Sequence, residues 1–71
     1  MELVPVSCRI PELLKKVGQN QQWLADKTGL SKQRISDIVH LRMDNITIRR
    51  AALIAYYLNC TMDDLFVWEW R

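Results

Sequence analysis

The stretch from Leu24 to Ser36, LADKTGLSKQRIS, constrains the fold more than any other. Gly29 stops one amphipathic helical run, and Ser31 opens another two residues later. Two helices joined by so short a turn cross steeply, which requires a small residue where the backbones meet and a positive φ at the turn. Ala25 meets the first requirement and Gly29 the second. Leu24, Leu30, Ile35 and Ile38 fall where such a pair must be apolar to sit on the rest of a domain. The second helix is left with Lys32, Gln33, Ser36 and Asp37 on its outward face, a polar surface of the kind a DNA major groove receives.

The flanking sequence is helical by period. Ile10, Leu13, Leu14 and Val17 make an i, i+3, i+4, i+7 stripe, with Pro11 suited to its first turn and Gly18 to its end. Asn20 is an N-cap for a helix running to Thr28, and Ser31 caps the next, which ends near His40. HLRMDN reads as a loop. Asn45 or Thr47 caps a fourth helix whose apolar side is expected to carry Ile48, Ala51, Ala52, Ala55 and Leu58, with Asn59 at its end. Thr61-Met62-Asp63-Asp64 resembles a shortened capping box that starts a fifth helical turn through Leu65 and Phe66. The two ends differ. Val4, Val6, Cys8 and Ile10 alternate, as do Phe66, Trp68 and Trp70, and period two in branched and aromatic residues is strand-like. Such ends are expected to pair, within the chain or across a dimer, with Pro5 tolerated only at an edge.

Seventy-one residues make one domain, 1–71, near the lower limit for a single core. No apolar run approaches a membrane span, and MELVPVSC lacks the basic region of a secretory leader. Cys8 and Cys60 are too few for a disulfide framework and lack metal-ligand spacing, so two reduced thiols in the cytoplasm are expected, with no metal. The charge is unevenly spread: residues 9–50 hold nine Lys/Arg against four acids, +5, and the remainder one against four, −3. A basic body with acidic ends is what a nucleic-acid-binding face produces. His40 has no nucleophile or second ligand beside it, Asp63-Asp64 suits the start of a helical turn, and no glycine-rich phosphate loop occurs. No enzyme and no cofactor are expected.

Gln21 to His40 resembles the helix-turn-helix of the Cro/cI-type (XRE) regulators. NQQWLADKTGLSKQRISDI follows that family's pattern of cap, glutamine, Leu-Ala, Gly, apolar residue, Ser and Ile-Ser, and ALIAYYLNCTMDDLF resembles its closing segment. The likeness covers residues 9–66, with 1–9 and 67–71 as terminal extensions. Thr28 departs from it by replacing an apolar residue, and HLRMDN by lacking the family's Asn-Gly turn. The resemblance implies an all-α, five-helix lambda-repressor-like domain, here with a short β-pairing of the ends. It further implies that residues 31–39 are a recognition helix and that Gln21 contacts a phosphate. On that helix Lys32 and Gln33 suit guanine and adenine edges, and Ser36 and Asp37 are further base-reading candidates, Asp37 through cytosine N4. Ser31, Arg34 and Arg42 suit phosphates, as do Arg49 and Arg50 less directly.

The implied function is sequence-specific binding of a double-stranded DNA operator by a transcriptional repressor acting as a homodimer, in the cytoplasm of a bacterium or a phage-infected host. The alternative from another class is a protein-interaction module, or an antitoxin, that keeps the same scaffold and works through the tryptophan tail. For either, Val4, Val6, Phe66, Trp68 and Trp70 are the candidate surface for a dimer or a second protein. The sheet formed by the ends is expected to cover the domain opposite the recognition helix.

Overall fold

A computed structural model describes residues 1–43 and 46–71. Four α-helices follow one another: α1 (Ile10–Val17), α2 (Gln21–Thr28), α3 (Lys32–Val39) and α4 (Ile48–Tyr57). Three of them begin at a side chain that satisfies an amide the helix itself cannot bond. Asn20 accepts from the Trp23 amide, Ser31 from Arg34 and Thr47 from Arg50. Asn45, the other candidate cap for α4, lies outside the described residues. Pro11 occupies the first turn of α1, where its missing N–H is no loss.

All four helices end through a left-handed residue. Gly18 (φ 71°) and Gly29 (φ 74°) follow α1 and α2. Leu41 (φ 56°) and Asn59 (φ 59°) do the same after α3 and α4. In both of the latter the next amide turns back: Arg42 N donates to the Asp37 carbonyl at 2.8 Å and Cys60 N to the Ala55 carbonyl at 3.0 Å. These are Schellman ends. Asparagine tolerates the conformation, whereas leucine pays roughly 1–2 kcal/mol for it.

The core gathers Ile10, Leu13 and Leu14 of α1, Leu24 and Ala25 of α2, Ile35 and Ile38 of α3, and Ala51, Ile54, Ala55 and Leu58 at α4, closed by Leu65. The stripes expected on α1 and across the α2–α3 pair are the buried ones. The expected face of α4 is corrected: Ile48 is 77% exposed and Ala52 is exposed, while Ile54 is fully buried. Helical spacing from Ala51 leads to Ile54, Ala55 and Leu58, and Ile48 stands on the first turn, before the helix meets its neighbours.

The five-helix expectation is also corrected. Thr61 and Asp64 do form a reciprocal capping box, with Thr61 N donating to Asp64 Oδ2 and Asp64 N to Thr61 Oγ1. They open only a single 3-10 turn, Met62–Leu65, before the chain extends at Phe66. One turn fixes several dihedrals for few hydrogen bonds, and it propagates no further because the next residues find a strand partner.

That partner adds to the helical domain the short sheet expected of its two ends. β1 (Leu3–Cys8) and β2 (Phe66–Trp70) pair antiparallel within the chain. Leu3 stands across from Trp70, Val4 from Glu69, Pro5 from Trp68, Ser7 from Val67 and Cys8 from Phe66, with a bulge between Pro5 and Ser7. Glu2 and Arg71 exchange both backbone hydrogen bonds. Alternation from that pair leaves Pro5 at a non-hydrogen-bonded position, where it removes no ladder bond. The expected location of the sheet is corrected as well. β1 packs against α3, and the sheet lies beside that helix rather than across the domain from it.

Candidate nucleic-acid interface

The α2–α3 turn is held from both sides. Gly29 N donates to the Ala25 carbonyl at 2.9 Å, closing α2. Thr28 Oγ1 donates to the Leu24 carbonyl at 2.7 Å and accepts from Leu30 N at 3.4 Å. Thr28, where the related pattern has an apolar residue, thus ties the end of α2 to the residue that enters α3. Ala25 is buried where the two helices meet, and Ile35 and Ile38 anchor α3 from beneath. The opposite face of α3 is left to water.

On that face Lys32, Gln33 and Arg34 are exposed, and Ser36 and Asp37 are half-buried. Ser31 is exposed, and its hydroxyl accepts from Arg34 N at 3.1 Å, the capping role. Gln21 is half-buried at the first position of α2. Lys32 and Arg34 take part in no ion pair among the described residues.

Four of the candidate and neighbouring side chains are tied together. Gln33 Nε2 donates to Asp37 Oδ1 at 3.0 Å, and Arg42 Nε donates to the same oxygen at 3.0 Å. Arg42 Nη2 reaches Ser36 Oγ at 3.0 Å. His40 Nδ1 lies 2.8 Å from the Ser36 carbonyl, closing the end of α3. The Arg42 hydrogen bond, and then that from Gln33, hold the Asp37 carboxyl below the ordinary carboxylate range. Gln33 and Asp37 lie one helical turn apart, a spacing legible in the sequence. Arg42 is five residues from Asp37 and comes within reach only because Leu41 turns the chain back.

The other candidate surface is apolar. Phe66, Trp68 and Trp70 share a face of β2, and their cross-strand neighbours are Cys8, Pro5 and Leu3. Val4 stands opposite Glu69 and Val6 falls in the bulge, so the expected grouping of these two valines with the aromatic row is corrected in favour of Leu3 and Pro5. The bulge shifts the alternation by one, which no reading of period two alone detects. Phe66 packs on the core and meets Trp68 edge to face at 5.7 Å, and Trp68 Nε1 donates to the Asp63 carbonyl. Trp68 remains 40% exposed and Trp70 64%. Between this face and the end of α3 runs a groove of about 290 Å³ lined by Pro5, Ile38, Leu41, Met43, Ile46, Phe66 and Trp68. Trp23 is half-buried against the core, edge to face with Tyr57.

A family model of the Cro/C1-type helix-turn-helix DNA-binding domain matches residues 9–70. Two Bacillus subtilis (strain 168) proteins resemble the chain over most of its length. The SPbeta prophage-derived uncharacterized HTH-type transcriptional regulator YotL is 36% identical over 67 residues, 94% of this chain and 84% of the relative. The similarly described SPbeta prophage protein YopS is 39% identical over 59 residues, 83% of this chain and 80% of the relative. The family match runs through β2, so the tail left outside the motif resemblance lies within the matched domain.

Proposed function

The chain belongs to the Cro/C1-type helix-turn-helix DNA-binding family, and from that premise we propose that it is a sequence-specific transcriptional repressor that binds its operator as a homodimer. The carrying observation is the outer face of α3, where a helix pinned by buried Ile35 and Ile38 presents Lys32, Gln33, Arg34, Ser36 and Asp37 side by side. Lys32 and Gln33 read base edges, with Ser36 beside them. Arg34 and Arg42 hold phosphates, Gln21 and Ser31 add contacts from helix N-termini, and occupancy of a promoter represses it. The two relatives bear the description of transcriptional regulators, which is consistent with this role.

The dimer forms through β2. Both strands of a two-stranded sheet have an open edge, but the two edges are not equal. On β1 the outward-facing positions include Pro5, which has no N–H, and the bulge follows it. On β2 the outward backbone groups belong to Phe66, Trp68 and Trp70, an unbroken set. An antiparallel second copy centred on Trp68 pairs Phe66 with its partner's tryptophan 70 and Trp68 with its equivalent. All the aromatic side chains then lie on one face, and the exposed indoles lose water contact. A two-fold pair of α3 helices reads half-sites about 34 Å apart.

The function is tested by titrating the chain with a randomised duplex library at several salt concentrations. Roughly four to six phosphate contacts per subunit give a log–log slope of about −4 to −5 for each bound subunit. Binding without a salt slope, or with no sequence enriched, overturns the reading.

A further inference from the structure

The Gln33–Asp37–Arg42–Ser36 cluster does more than decorate the recognition surface. A carboxylate accepts hydrogen bonds and cannot donate them, so its contact with Gln33 decides which end of the amide is which. Nε2 must face Asp37, 3.0 Å away. What remains available on Gln33 is one N–H and the carbonyl oxygen, the donor–acceptor pair that matches adenine N7 and N6. An untethered glutamine can present its amide either way round and loses that distinction.

The same oxygen holds Arg42 by its Nε, and Nη2 reaches the Ser36 hydroxyl. The guanidinium is therefore laid along the end of α3, with two of its five N–H groups engaged among the described residues and a planar fork of further donors suited to a phosphate. Asp37 sits at the crossing point. Its own charge is unfavourable beside a phosphate backbone, a cost borne on every DNA sequence alike. Such a residue is useful only if it returns selectivity.

We propose that Asp37 is a positioning residue that sets base specificity: through one carboxylate oxygen it orients the Gln33 amide for adenine and stations Arg42 against the backbone, and it reads no base itself. This rests on the DNA-binding reading of α3. It replaces the direct contact to cytosine N4 that the residue type alone invites.

The experiment compares the full chain with Asp37→Ala, Asp37→Asn, Gln33→Ala and the double variant Gln33→Ala/Asp37→Ala, each selecting from a randomised duplex library. Affinity for a fixed non-specific duplex is measured alongside. Asp37→Ala and Gln33→Ala are expected to relax the same base position, where a bidentate contact carries a preference of roughly five- to 150-fold. The double variant relaxes it no further than either alone, because the two side chains act as one unit. Asp37→Ala also binds the non-specific duplex about two- to three-fold more tightly at low salt, since a like charge near the phosphates is gone. Gln33→Ala does not. Asp37→Asn drops the charge and gains the same non-specific affinity, but its amide can donate as well as accept, so it restores only part of the base preference. Relaxation at a different position in Asp37→Ala means that Asp37 reads a base directly, and unchanged selection means that it positions nothing; either overturns the proposal. A wild-type chain that enriches no sequence overturns the DNA reading itself, which separates the two failures.

Discussion

Two surfaces of this domain are open to solvent and were built by different rules. The outer face of α3 is polar, and four of its side chains and their neighbours are already bonded to one another before any ligand arrives. The aromatic face of β2 is apolar, and among the described residues the Trp68 indole is the one polar group on it with such a partner. Exposure of the first is nearly neutral in free energy, because water and internal hydrogen bonds are close equivalents. Exposure of the second forgoes roughly 25 cal/mol for each Å² of apolar area left in water. The groove that borders the aromatic face is lined at its other side by Ile38 and Leu41 at the end of α3, so the surface that favours being covered runs up to the helix that carries the polar one.

The widest contrast lies within α3 itself. Ile35→Ala empties a fully buried site and is expected to lower stability by about 2–5 kcal/mol. Gln33→Ala, two residues away on the exposed face, leaves thermal unfolding essentially unchanged. Denaturant titration of the two variants checks this; equal losses would mean that the outward face is a packing surface.

The reading surface divides in turn. Gln33→Ala is expected to cost about 1–3 kcal/mol on the best operator while scarcely changing non-specific binding. Arg34→Ala weakens all sequences alike and flattens the salt slope by about one. Parallel losses on every sequence in both variants would erase the distinction between reader and anchor.

Much of the α3 side of this comparison is legible in the sequence, and little of the β side is. Asn20, Ser31, Thr47 and the Thr61–Asp64 box announce the starts of the helical segments, since each cap is a local bond between residues three apart. Gly18 and Gly29 announce two of the ends. Leu41 announces nothing, because a leucine in the left-handed region is held there by its surroundings rather than by its own preference. With it goes the position of Arg42, and so the bond to Asp37 that reorganises the candidate site. The ends were legible as strands by their alternation, but the bulge after Pro5 was not, and it decides which residues stand beside the tryptophans. Ile54 was missed as a core residue for a related reason: apolar residues surround α4, and only its neighbours choose among them.

The free edge of β2 is tested by a substitution that imitates what Pro5 does to β1. Trp70→Pro removes an outward N–H and an exposed indole while the bonds of β2 to β1 stay available. Stability of the monomer is expected to change by no more than about 1 kcal/mol, whereas sedimentation at matched concentration shows a dimer shifted toward monomer. Affinity for a two-half-site duplex then falls more than affinity for a single half-site. Unchanged mass would assign the dimer, or the tryptophans, to another contact.

The smallest effect concerns two carboxylates that are both held below their ordinary range, one for each surface. Asp37 owes this first to Arg42 and then to Gln33, and Asp64, at the turn feeding β2, owes it to the Thr61 amide and hydroxyl. A depressed folded pKa contributes stability that is present above the unfolded value and is lost as the pH falls through the folded one. Asp64→Asn should therefore melt slightly lower than the wild type near pH 7. The gap should close as the pH drops below the ordinary carboxylate value of about 3.9. Asp64 holds together the turn that delivers β2 to β1, so its loss appears as a shift in melting temperature. Asp37 holds side chains rather than backbone, but its depressed carboxyl contributes by the same linkage, so acid should release Gln33 and Arg42 and remove that contribution as well. Melting curves of wild type, Asp64→Asn and Asp37→Asn across the acid range decide the point. A gap at neutral pH that stayed open in acid, in either variant, would mean that the carboxylate's charge is not what its hydrogen-bond partners stabilise.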